Sequence, residues 1–357
     1  MKINKLLVLA LLTSIFISSC SEDSDDTPVV PKGNYENGLL ISHEGNFGQG
    51  NASVSFVSDD LLTVENNVFS NVNGSPLGDT AQSIAFSDEF AYVVLNVSNK
   101  IEVLNRYTFE SVATINSGLL NPRYMTVSNG KGYVTNWGDG GDSTDDFVAI
   151  IDLDTNTVSN TIQVGEGPEY ILENEYLLYV SHKGGWGVNN IISVIDISDN
   201  NVGTIEVNDA PGAMALDSNG NLVVLCSGAN QYWLTPAVET LASITRISTN
   251  NSAILDVMEF AQGEHPSIMT HDDDDELFYV LNGEVYELDD SSDVLPTSAI
   301  LDVSSISAYG ISVDDDTLYV ANSNFTEESD LLIYDLDSAS LIETVELSIG
   351  AAKIYFN

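Results

Sequence analysis

The sequence has little cysteine, little histidine and few basic residues. Its 357 residues include 2 Cys and 4 His, and 10 Lys and Arg stand against 54 Asp and Glu, which gives a formal net charge of −44. So few cysteines argue against a disulfide-stapled scaffold, and the fold must depend on its core. The shortage of cations argues against nucleic acid or an anionic lipid surface as a partner, because such polyanions are bound by basic patches that release counterions.

The sequence motifs of common enzymes are also missing. No GxSxG elbow, HExxH motif, Walker loop or CxxC pair occurs, and the 4 histidines lack the spacing of a zinc site. Cys226 stands next to no recognised motif and is interpreted as a small buried hydrophobic residue. These absences favour a protein that binds without catalysis and without a cofactor.

The first residues predict export from the cytoplasm. Two lysines, an apolar run and several small residues lead up to Cys20. This pattern is typical of a secretory signal peptide, here residues 1–19, and its apolar run is shorter than the roughly 20 residues of a membrane span. The ending Ile17-Ser18-Ser19-Cys20 resembles a bacterial lipobox, which implies that Cys20 is lipidated; the alternative is an ordinary cleavage site with a chance cysteine.

Residues 20–37 are predicted to be a linker, because they contain Pro28, Pro31 and Gly33 and a dense acidic run. The acidic run, residues 21–26, resembles the tag that sends lipoproteins of the Bacteroidetes type to the outer face of the outer membrane. That resemblance implies a lipid-anchored protein exposed at the cell surface. The alternative interpretation is a solvated acidic tether.

After the linker, a short apolar run with an aromatic–Val pair recurs along the chain. The pairs begin at Tyr92, Tyr133, Tyr179, Tyr279 and Tyr319, and Val223 fills the gap, so that the spacings are 41, 46, 44, 56 and 40 residues. Periods of this length are typical of propeller blades. Short runs of Val, Ile and Tyr between Asp, Asn and Gly turns predict antiparallel four-stranded units.

The number of units is seven if the two ends of the chain are joined. Leu39–Ser42, Ser53–Val57 and a segment near Val68 supply three strands of a first unit, and Ala352–Phe356 is an orphan strand after the last one. Pairing this strand with the first unit would close a ring and remove the exposed edges. We therefore predict an all-β fold over residues 38–357, a seven-bladed β-propeller; a row of separate small sheets is disfavoured, since each would have too little core.

The sequence pattern repeated in each blade resembles that of the YncE-like and surface-layer propellers over roughly residues 38–357. It consists of the aromatic–Val pair, a run such as Ser193–Asp196 and a turn from Gly165 to Pro168. The opening from His43 to Gly48 resembles the NEGNFG opening of Bacteroidetes surface lipoproteins of this fold, with His43 in place of Asn. Some of these, the BtuG-type proteins, capture cobalamin. The resemblance implies a cobalamin-like nutrient as ligand and a TonB-dependent outer-membrane receptor as partner.

One face of the predicted propeller collects aromatic and polar residues. The loop after the second strand of each blade and the link into the next blade emerge on the same face, and all 3 Trp of the chain follow second strands. Rings that stack and polar groups that orient suit a large planar or sugar-like ligand. The predicted ligand-contacting residues are His43, Phe47, Asn96, Arg123, Tyr124, Asn136, Trp137, Tyr170, His182, Trp186, Tyr232, Trp233, His265, Tyr309, Asn322 and Phe325.

This set has a structural alternative. The rings would then pack between blades, and the asparagines at the strand ends would satisfy turn amides, as Asn commonly does. For that reason His43 and His182 are preferred to the asparagines as ligand contacts.

The opposite face carries acidic turns such as Asp272–Asp275 and Asp314–Asp316. Asp is an ordinary turn residue, so these are interpreted as solvated turns. Calcium is the cation that their oxygens would suit, and the weak metal candidates are Asp139 and Asp142 in a Gly-rich loop.

The leading hypothesis is a monomeric, non-enzymatic surface protein that captures a small organic ligand and passes it to a transporter. One alternative is a metal-dependent hydrolase of lactonase or phosphatase type that uses His43, Glu44, Glu169 and His265, because propellers can place such groups around the channel mouth. Another is a protein-interaction or adhesion propeller.

Overall fold

The computed structural model describes residues 32–272 and 275–357. The predicted signal peptide, the predicted lipidation at Cys20 and most of the predicted linker lie outside these residues, as do Asp273 and Asp274. Residues Gly33–Asn357 form one unit. Within the described residues no helix is long and apolar enough to cross a membrane.

The described residues form seven four-stranded antiparallel sheets, as predicted. The first blade contains β1 (Gly38–His43), β2 (Ser53–Ser58) and β3 (Val64–Glu65), followed by the helix α1 (Val68–Asn73). The second contains β4 (Ala81–Phe86), β5 (Phe90–Leu95), β6 (Lys100–Asn105) and β7 (Ser111–Ile115). The third contains β8 (Pro122–Ser128), β9 (Lys131–Asn136), β10 (Phe147–Asp152) and β11 (Thr157–Gln163), and the fourth contains β12 (Pro168–Asn174), β13 (Leu177–His182), β14 (Ile191–Asp196) and β15 (Val202–Glu206).

The remaining blades repeat the pattern with one insertion. The fifth contains β16 (Pro211–Leu216), β17 (Leu222–Cys226), β20 (Ser243–Ile247) and β21 (Ile254–Glu259), with the hairpin β18 (Asn230–Gln231) and β19 (Val238–Glu239) inserted in its middle. The sixth contains β22 (Ile268–His271), β23 (Glu276–Leu281), β24 (Glu284–Asp289) and β25 (Leu301–Asp302). The seventh contains β26 (Ala308–Asp314), β27 (Thr317–Asn322), β28 (Ser329–Asp335) and β29 (Ser340–Leu347), and β30 (Ala351–Phe356) ends the chain.

The last strand closes the ring. β30 is the innermost strand of the first blade and pairs with β1, so that Leu40 opposes Tyr355 and Ile41 opposes Ile354. The backbone amide of Asn357 donates to the carbonyl of Gly38 at 2.8 Å. The predicted closure is thereby confirmed, and all seven blades have the same strand order.

The hydrophobic core lies between neighbouring blades. Successive side chains of a strand point to opposite faces, so each sheet packs against the blade before it and the blade after it. In the aromatic–Val pair of the third blade, Tyr133 packs against the fourth blade while Val134 packs against the second. Cys226 is buried between the fourth and fifth blades, and this burial raises the pKa of its thiol to about 12.

One segment differs from the prediction. The third strand of the first blade, expected near Val68, is the two-residue β3, and Val68 begins the helix α1 instead. Asn67 adopts a left-handed conformation with φ of 59° and turns the chain out of the sheet. Val68 and Phe69 are then buried against the first two blades, so tertiary packing overrides the β propensity of the segment.

Turns on the face opposite the predicted site account for many of the acidic residues. The carboxylates of Asp152, Asp196 and Asp335 each accept hydrogen bonds from the backbone amide and the hydroxyl of a Ser or Thr two or three residues later. These bonds lower the pKa of all three carboxyls. The aspartates therefore have a structural role as turn residues.

Ring closure gives a first prediction. Ile354 of β30 is 6% exposed, whereas Ile342 of β29 is 52% exposed on an outermost strand. Ile354→Ala should lower the free energy of unfolding by about 2–5 kcal/mol, because it leaves a cavity at the closing seam. Ile342→Ala, the matched control, should change it by no more than about 0.5 kcal/mol. Chemical denaturation measures both, and equal losses would contradict a closing role for β30.

Candidate functional site on the propeller axis

A cavity of about 530 Å³ opens on the face of the predicted site. Every inner strand lines it, which places the cavity on the propeller axis. The contributing inner-strand residues are Lys353 of β30, Gln82 of β4, Arg123 and Tyr124 of β8, Glu169 and Tyr170 of β12, Gly212 of β16, Ile268 of β22, and Ala308 and Tyr309 of β26. Loops that follow second strands add a rim, which includes Glu44, Phe47, Asn96, Trp137, Lys183 and Trp186.

Bulges in the inner strands supply the cavity residues. In β8, Arg123 and Tyr124 together oppose the single residue Thr135 of β9. In β12, Glu169 and Tyr170 oppose Ser181 of β13 in the same way. A bulge of this kind inserts one extra residue and re-aims side chains. The extra residue of β4 is Gln82, that of β26 is Tyr309, and β16 is bulged at Gly212.

Three of the bulged inner strands share a local sequence feature. Each of β8, β12 and β16 begins with a proline (Pro122, Pro168 and Pro211), a residue that lacks a backbone donor and is confined to strand starts, edges and bulges. Buried hydroxyls satisfy amides that the bulges release. Thr135 Oγ1 accepts from the amide of Tyr124 at 3.0 Å, and Ser181 Oγ accepts from the amide of Tyr170 at 3.2 Å.

Aromatic rings form one wall of the cavity. The rings of Tyr124 and Tyr170 are stacked with their centroids 4.0 Å apart, and those of Trp137 and Trp186 meet edge to face at 6.1 Å. Trp137 Nε1 donates to the carbonyl of Pro168 at 2.9 Å, which fixes its ring. Trp186 is 80% exposed, so its ring is available to a ligand.

A bidentate ion pair fixes the centre of this wall. Arg123 Nε and Nη2 donate to the two carboxylate oxygens of Glu169 at 3.0 and 2.7 Å. The guanidinium carbon of Arg123 also lies 4.1 Å from the ring centroid of Trp137. Such planar, two-point pairing holds Arg123 in one orientation before any ligand arrives.

A second carboxyl lies across the mouth. The hydroxyl of Tyr309 donates a hydrogen bond to the carboxylate of Glu44, with oxygen–oxygen distances of 3.3 and 3.4 Å. Burial raises the pKa of Glu44, while Arg123 and Lys353 oppose that shift. Burial and the neighbouring Glu44 also raise the pKa of Tyr309, so its hydroxyl stays protonated.

The structure brings half of the sequence-predicted residues into the cavity. These are Phe47, Asn96, Arg123, Tyr124, Trp137, Tyr170, Trp186 and Tyr309. Whether they contact a ligand stays a prediction.

The two preferred histidines lie elsewhere, in the packing between strands. His43 and His182 are fully buried, and the Nε2 of each lies 2.8 Å from a serine hydroxyl, that of Ser55 and Ser193 respectively. Burial lowers the pKa of both imidazoles to about 4, so both are neutral. Neither histidine lines the cavity.

The other predicted residues outside the cavity hold loops or stand at the rim. Asn136 and Asn322 accept from the backbone amides of Leu120 and Ser307, both at 2.9 Å. His265 lies 2.8 Å from the carbonyl of Ser227. Phe325 meets the ring of Tyr309 edge to face at 5.4 Å. Tyr232 and Trp233 are exposed in the inserted hairpin and contact one another.

The cavity residues that were not among the predicted ligand contacts include Glu44, Gln82, Glu169, Lys183 and Lys353. A recurring motif could have identified Glu169. Both Pro122-Arg123-Tyr124 and Pro168-Glu169-Tyr170 place a charged residue and a tyrosine after a strand-initial proline. No local motif distinguishes Gln82 or Lys353, because the orientation of their side chains depends on the strand register.

The loop that holds the weak metal candidates is occupied by its own hydrogen bonds. Asp139 accepts from the amide of Gly141, and Asp142 accepts from the amide and the hydroxyl of Thr144. In the part of the chain that the structure describes, no group of three or more His, Cys, Asp or Glu is arranged to hold a metal ion.

Asp146 ends this loop in a buried position. It is 2% exposed, its Oδ2 accepts from the amide of Gly167 at 2.8 Å, and its Oδ1 has no hydrogen-bond partner. Burial raises the pKa of this carboxyl to about 6, and the nearby Asp145, Glu166 and Asp142 add to the shift.

The fold and the cavity together define a class of protein, the seven-bladed propellers with an aromatic site on the axis. Within that class, the chain belongs to the family described as a domain of unknown function, DUF5074, whose model matches residues 37–348. No curated protein matches the chain significantly by sequence.

Solved propeller structures are similar in fold. The periplasmic gluconolactonase of Pseudomonas aeruginosa aligns with a TM-score of 0.64 and 10% identity, over 89% of this chain and 98% of its own. A dihydro-heme d1 dehydrogenase in complex with DHE aligns with a TM-score of 0.56 and 11% identity, over 92% and 77%. The designed protein Ika8 gives a TM-score of 0.56 and 9% identity, over 91% and 92%. At these identities the likeness concerns the fold alone.

Asp146 generates a pH-dependent prediction. Its folded-state pKa of about 6 exceeds the unfolded value of about 3.9, so the folded state binds the proton more tightly and the free energy of unfolding falls as the pH rises from about 4 to 6. Asp146→Asn removes this loss. The variant should be more stable than the wild type by on the order of 2 kcal/mol at pH 7.5 and no more stable at pH 4.

Denaturant titrations at the two pH values test this. Asp142→Asn is the control, since Asp142 is exposed and hydrogen bonds from Thr144 lower the pKa of its carboxyl. Asp142→Asn should not raise the free energy of unfolding at pH 7.5. A loss of stability in Asp146→Asn at pH 7.5 would show that the ionised carboxylate is favourably held and would refute the assignment.

Proposed function

We propose that this protein binds a planar organic small molecule at the mouth of its axial channel and acts as a capture protein rather than as an enzyme. The observation that carries the proposal is the cavity of about 530 Å³, in which stacked rings stand beside polar groups. Concave sites of this size, with apolar walls and a few placed polar groups, are typical of small-molecule binding.

The wall is rigid before binding. Arg123 is held between Glu169 and the Trp137 ring, and Trp137 is anchored to Pro168. Pre-ordered side chains reduce the entropy that a ligand must overcome on binding. A preformed wall suits capture of a dilute molecule.

The rim extends the aromatic surface beyond the cavity. The side chains of Phe47 and Trp186 are each 80% exposed, which leaves their faces available. Large exposed rings rarely lack a partner when they cluster. A ligand larger than the cavity, with a planar body, would use both the channel mouth and these rings.

The finer proposal concerns the ligand and the place of action. The signal peptide, the lipobox resemblance at Cys20 and the acidic run that follows support a lipoprotein at the outer surface of the outer membrane. The resemblance of the His43–Gly48 opening to surface lipoproteins supports a cobalamin-like nutrient, delivered to a TonB-dependent receptor.

Ligand titration tests the proposal. Purified protein should bind at least one of cyanocobalamin, haemin, riboflavin and a cello-oligosaccharide in calorimetry, with tryptophan fluorescence as a second readout. Trp186→Ala should weaken that binding roughly tenfold, because it removes a stacking surface. Trp233→Ala is a matched control, since Trp233 is a 63% exposed tryptophan outside the cavity.

Two outcomes would overturn the capture proposal. The first is the absence of binding across the panel. The second is a bound probe whose affinity falls in Trp233→Ala and stays unchanged in Trp186→Ala, which would move the site to the inserted hairpin.

A hydrolase of lactonase type is the second candidate function. It is favoured by one observation, the raised pKa of Glu44 beside the Tyr309 hydroxyl, because perturbed carboxyls in clefts are characteristic of general acids and bases. Of the other residues considered for this role, Glu169 lines the cavity, while His43 and His265 do not.

We expect binding without turnover. D-glucono-1,5-lactone and p-nitrophenyl phosphate should remain intact over hours with wild-type protein at micromolar concentration, as followed by pH-stat and absorbance. Hydrolysis that disappears in Glu44→Gln and persists in the exposed control Glu327→Gln would replace the capture function with the hydrolase.

A further inference from the structure

The few cations of this chain are concentrated at the cavity. The described residues contain eight of the 10 Lys and Arg, and three of these eight line the axial cavity. They are Arg123, Lys183 and Lys353. In a chain with 54 acidic residues this placement is a specific feature of the site.

Two of these three cations lack an ion-pair partner. Arg123 is paired with Glu169, just as Lys100 is paired with Glu102 and Arg246 with Asp217. Across residues 32–272 and 275–357, the ammonium groups of Lys183 and Lys353 form no hydrogen bond and no ion pair within 4.0 Å. Lys353 is near enough to Glu44 to oppose the rise in its pKa, without contact.

The acidic groups at the cavity do not cancel this charge. The charged lining residues are three cations, Arg123, Lys183 and Lys353, and two carboxyls, Glu44 and Glu169, so one positive charge is in excess when both carboxyls are ionised. Glu169 is already bound by Arg123, and burial disfavours the charge of Glu44. The residues that line the cavity therefore carry a net positive charge on a protein of net charge −44.

A neutral donor stands in the same cavity. Gln82, the extra residue of the β4 bulge, is 5% exposed and lines the cavity. Its side-chain amide makes no hydrogen bond to another described residue, in contrast to Asn96, whose amide donates to the carbonyl of Pro122 at 3.1 Å. The side-chain amide of Gln82 is therefore available to a molecule in the cavity.

The position of the lysines also constrains the ligand. Lys353 belongs to the inner strand of the first blade, and Lys183 follows the second strand of the fourth. Blades three places apart in a ring of seven lie on nearly opposite sides of the axis. A molecule that reaches both ammonium groups spans the mouth.

From these observations we infer that the captured ligand is an anion, a planar molecule whose carboxylate or phosphate groups are bound by Lys183, Lys353 and Gln82. This inference rests on the proposed function. A neutral planar ligand would displace water from the two ammonium groups without offering them a new partner, and such desolvation of a charge is unfavourable. An anionic group would replace that water with charge-assisted hydrogen bonds. The site thus selects by charge as well as by shape.

Flavins of one ring system and different charge are the probes. Riboflavin is neutral, flavin mononucleotide carries a phosphate, and carboxymethylflavin carries a carboxylate, so comparing the two anions distinguishes phosphate from carboxylate recognition. At least one anionic flavin should bind wild-type protein roughly tenfold or more tightly than riboflavin. Fluorescence titration measures all three affinities.

Lysine variants locate the effect. At least one of the variants Lys183→Gln and Lys353→Gln should weaken binding of the preferred anionic flavin roughly three- to tenfold and leave riboflavin unchanged, because the single anionic group of a flavin reaches only one of two ammonium groups on opposite sides of the mouth. Lys131→Gln is the matched control, because Lys131 is an exposed lysine at the start of β9, outside the cavity and without an ion pair. It should alter none of the affinities.

The outcomes separate this inference from the proposed function. Equal affinities for all three flavins, or anionic binding that both lysine variants leave intact, would overturn the anion inference and leave capture standing. If no flavin binds while uncharged cyanocobalamin or the oligosaccharide does, the anion inference is likewise overturned and the capture function still stands. If no member of the flavin set or of the earlier panel binds, both proposals fall.

Discussion

Pairing between the last strand and the first sheet is the interaction on which the rest of the molecule depends. β30 supplies the inner strand of the first blade, and Asn357 ties the end of this strand to two distant segments. Its side-chain amide donates to the carbonyls of Tyr35 and Arg106, while its Oδ1 accepts from Arg106 Nε at 2.9 Å. An axial cavity exists only in a closed ring, and Lys353 reaches it from the closing strand itself.

Closure alone would give a ring with a plain channel, and the bulges turn that channel into a site. Where two residues oppose one, as Arg123 and Tyr124 oppose Thr135, a side chain that would lie between blades is directed toward the axis. Repetition of this device in neighbouring blades places Tyr124 against Tyr170 and Arg123 against Glu169. The cost is a set of released backbone amides, and the buried hydroxyls of Thr135 and Ser181 satisfy them.

The fold could be predicted from the sequence because its signals are local and repeated. A period of 40 to 56 residues, alternating Val, Ile and Tyr, and one orphan strand were enough to give seven blades and their closure. The exception is the segment at Val68, where the left-handed Asn67 and burial of Phe69 produce a helix.

The site was predicted less completely, because it depends on register. Sequence order places His43 and Asn136 at the ends of second strands, but those positions face the packing between strands. The inserted hairpin carries Trp233 away from the cavity, although the residue follows a second strand like Trp137 and Trp186. Gln82 is the extra residue of the bulge in β4, and Lys353 follows the extra residue Ala352 of the bulge in β30. A one-residue difference in pairing has no signature in composition.

The central claim is that the bulged inner strands hold a planar anion on the axis. A crystal structure of the protein grown with saturating flavin mononucleotide tests it most directly. The account predicts the isoalloxazine ring against Trp186 and the Tyr124–Tyr170 pair, with the phosphate within hydrogen-bonding distance of Lys183 or Lys353. Density for the flavin on the acidic face or along the outer strands, or a channel mouth that stays empty, would contradict it.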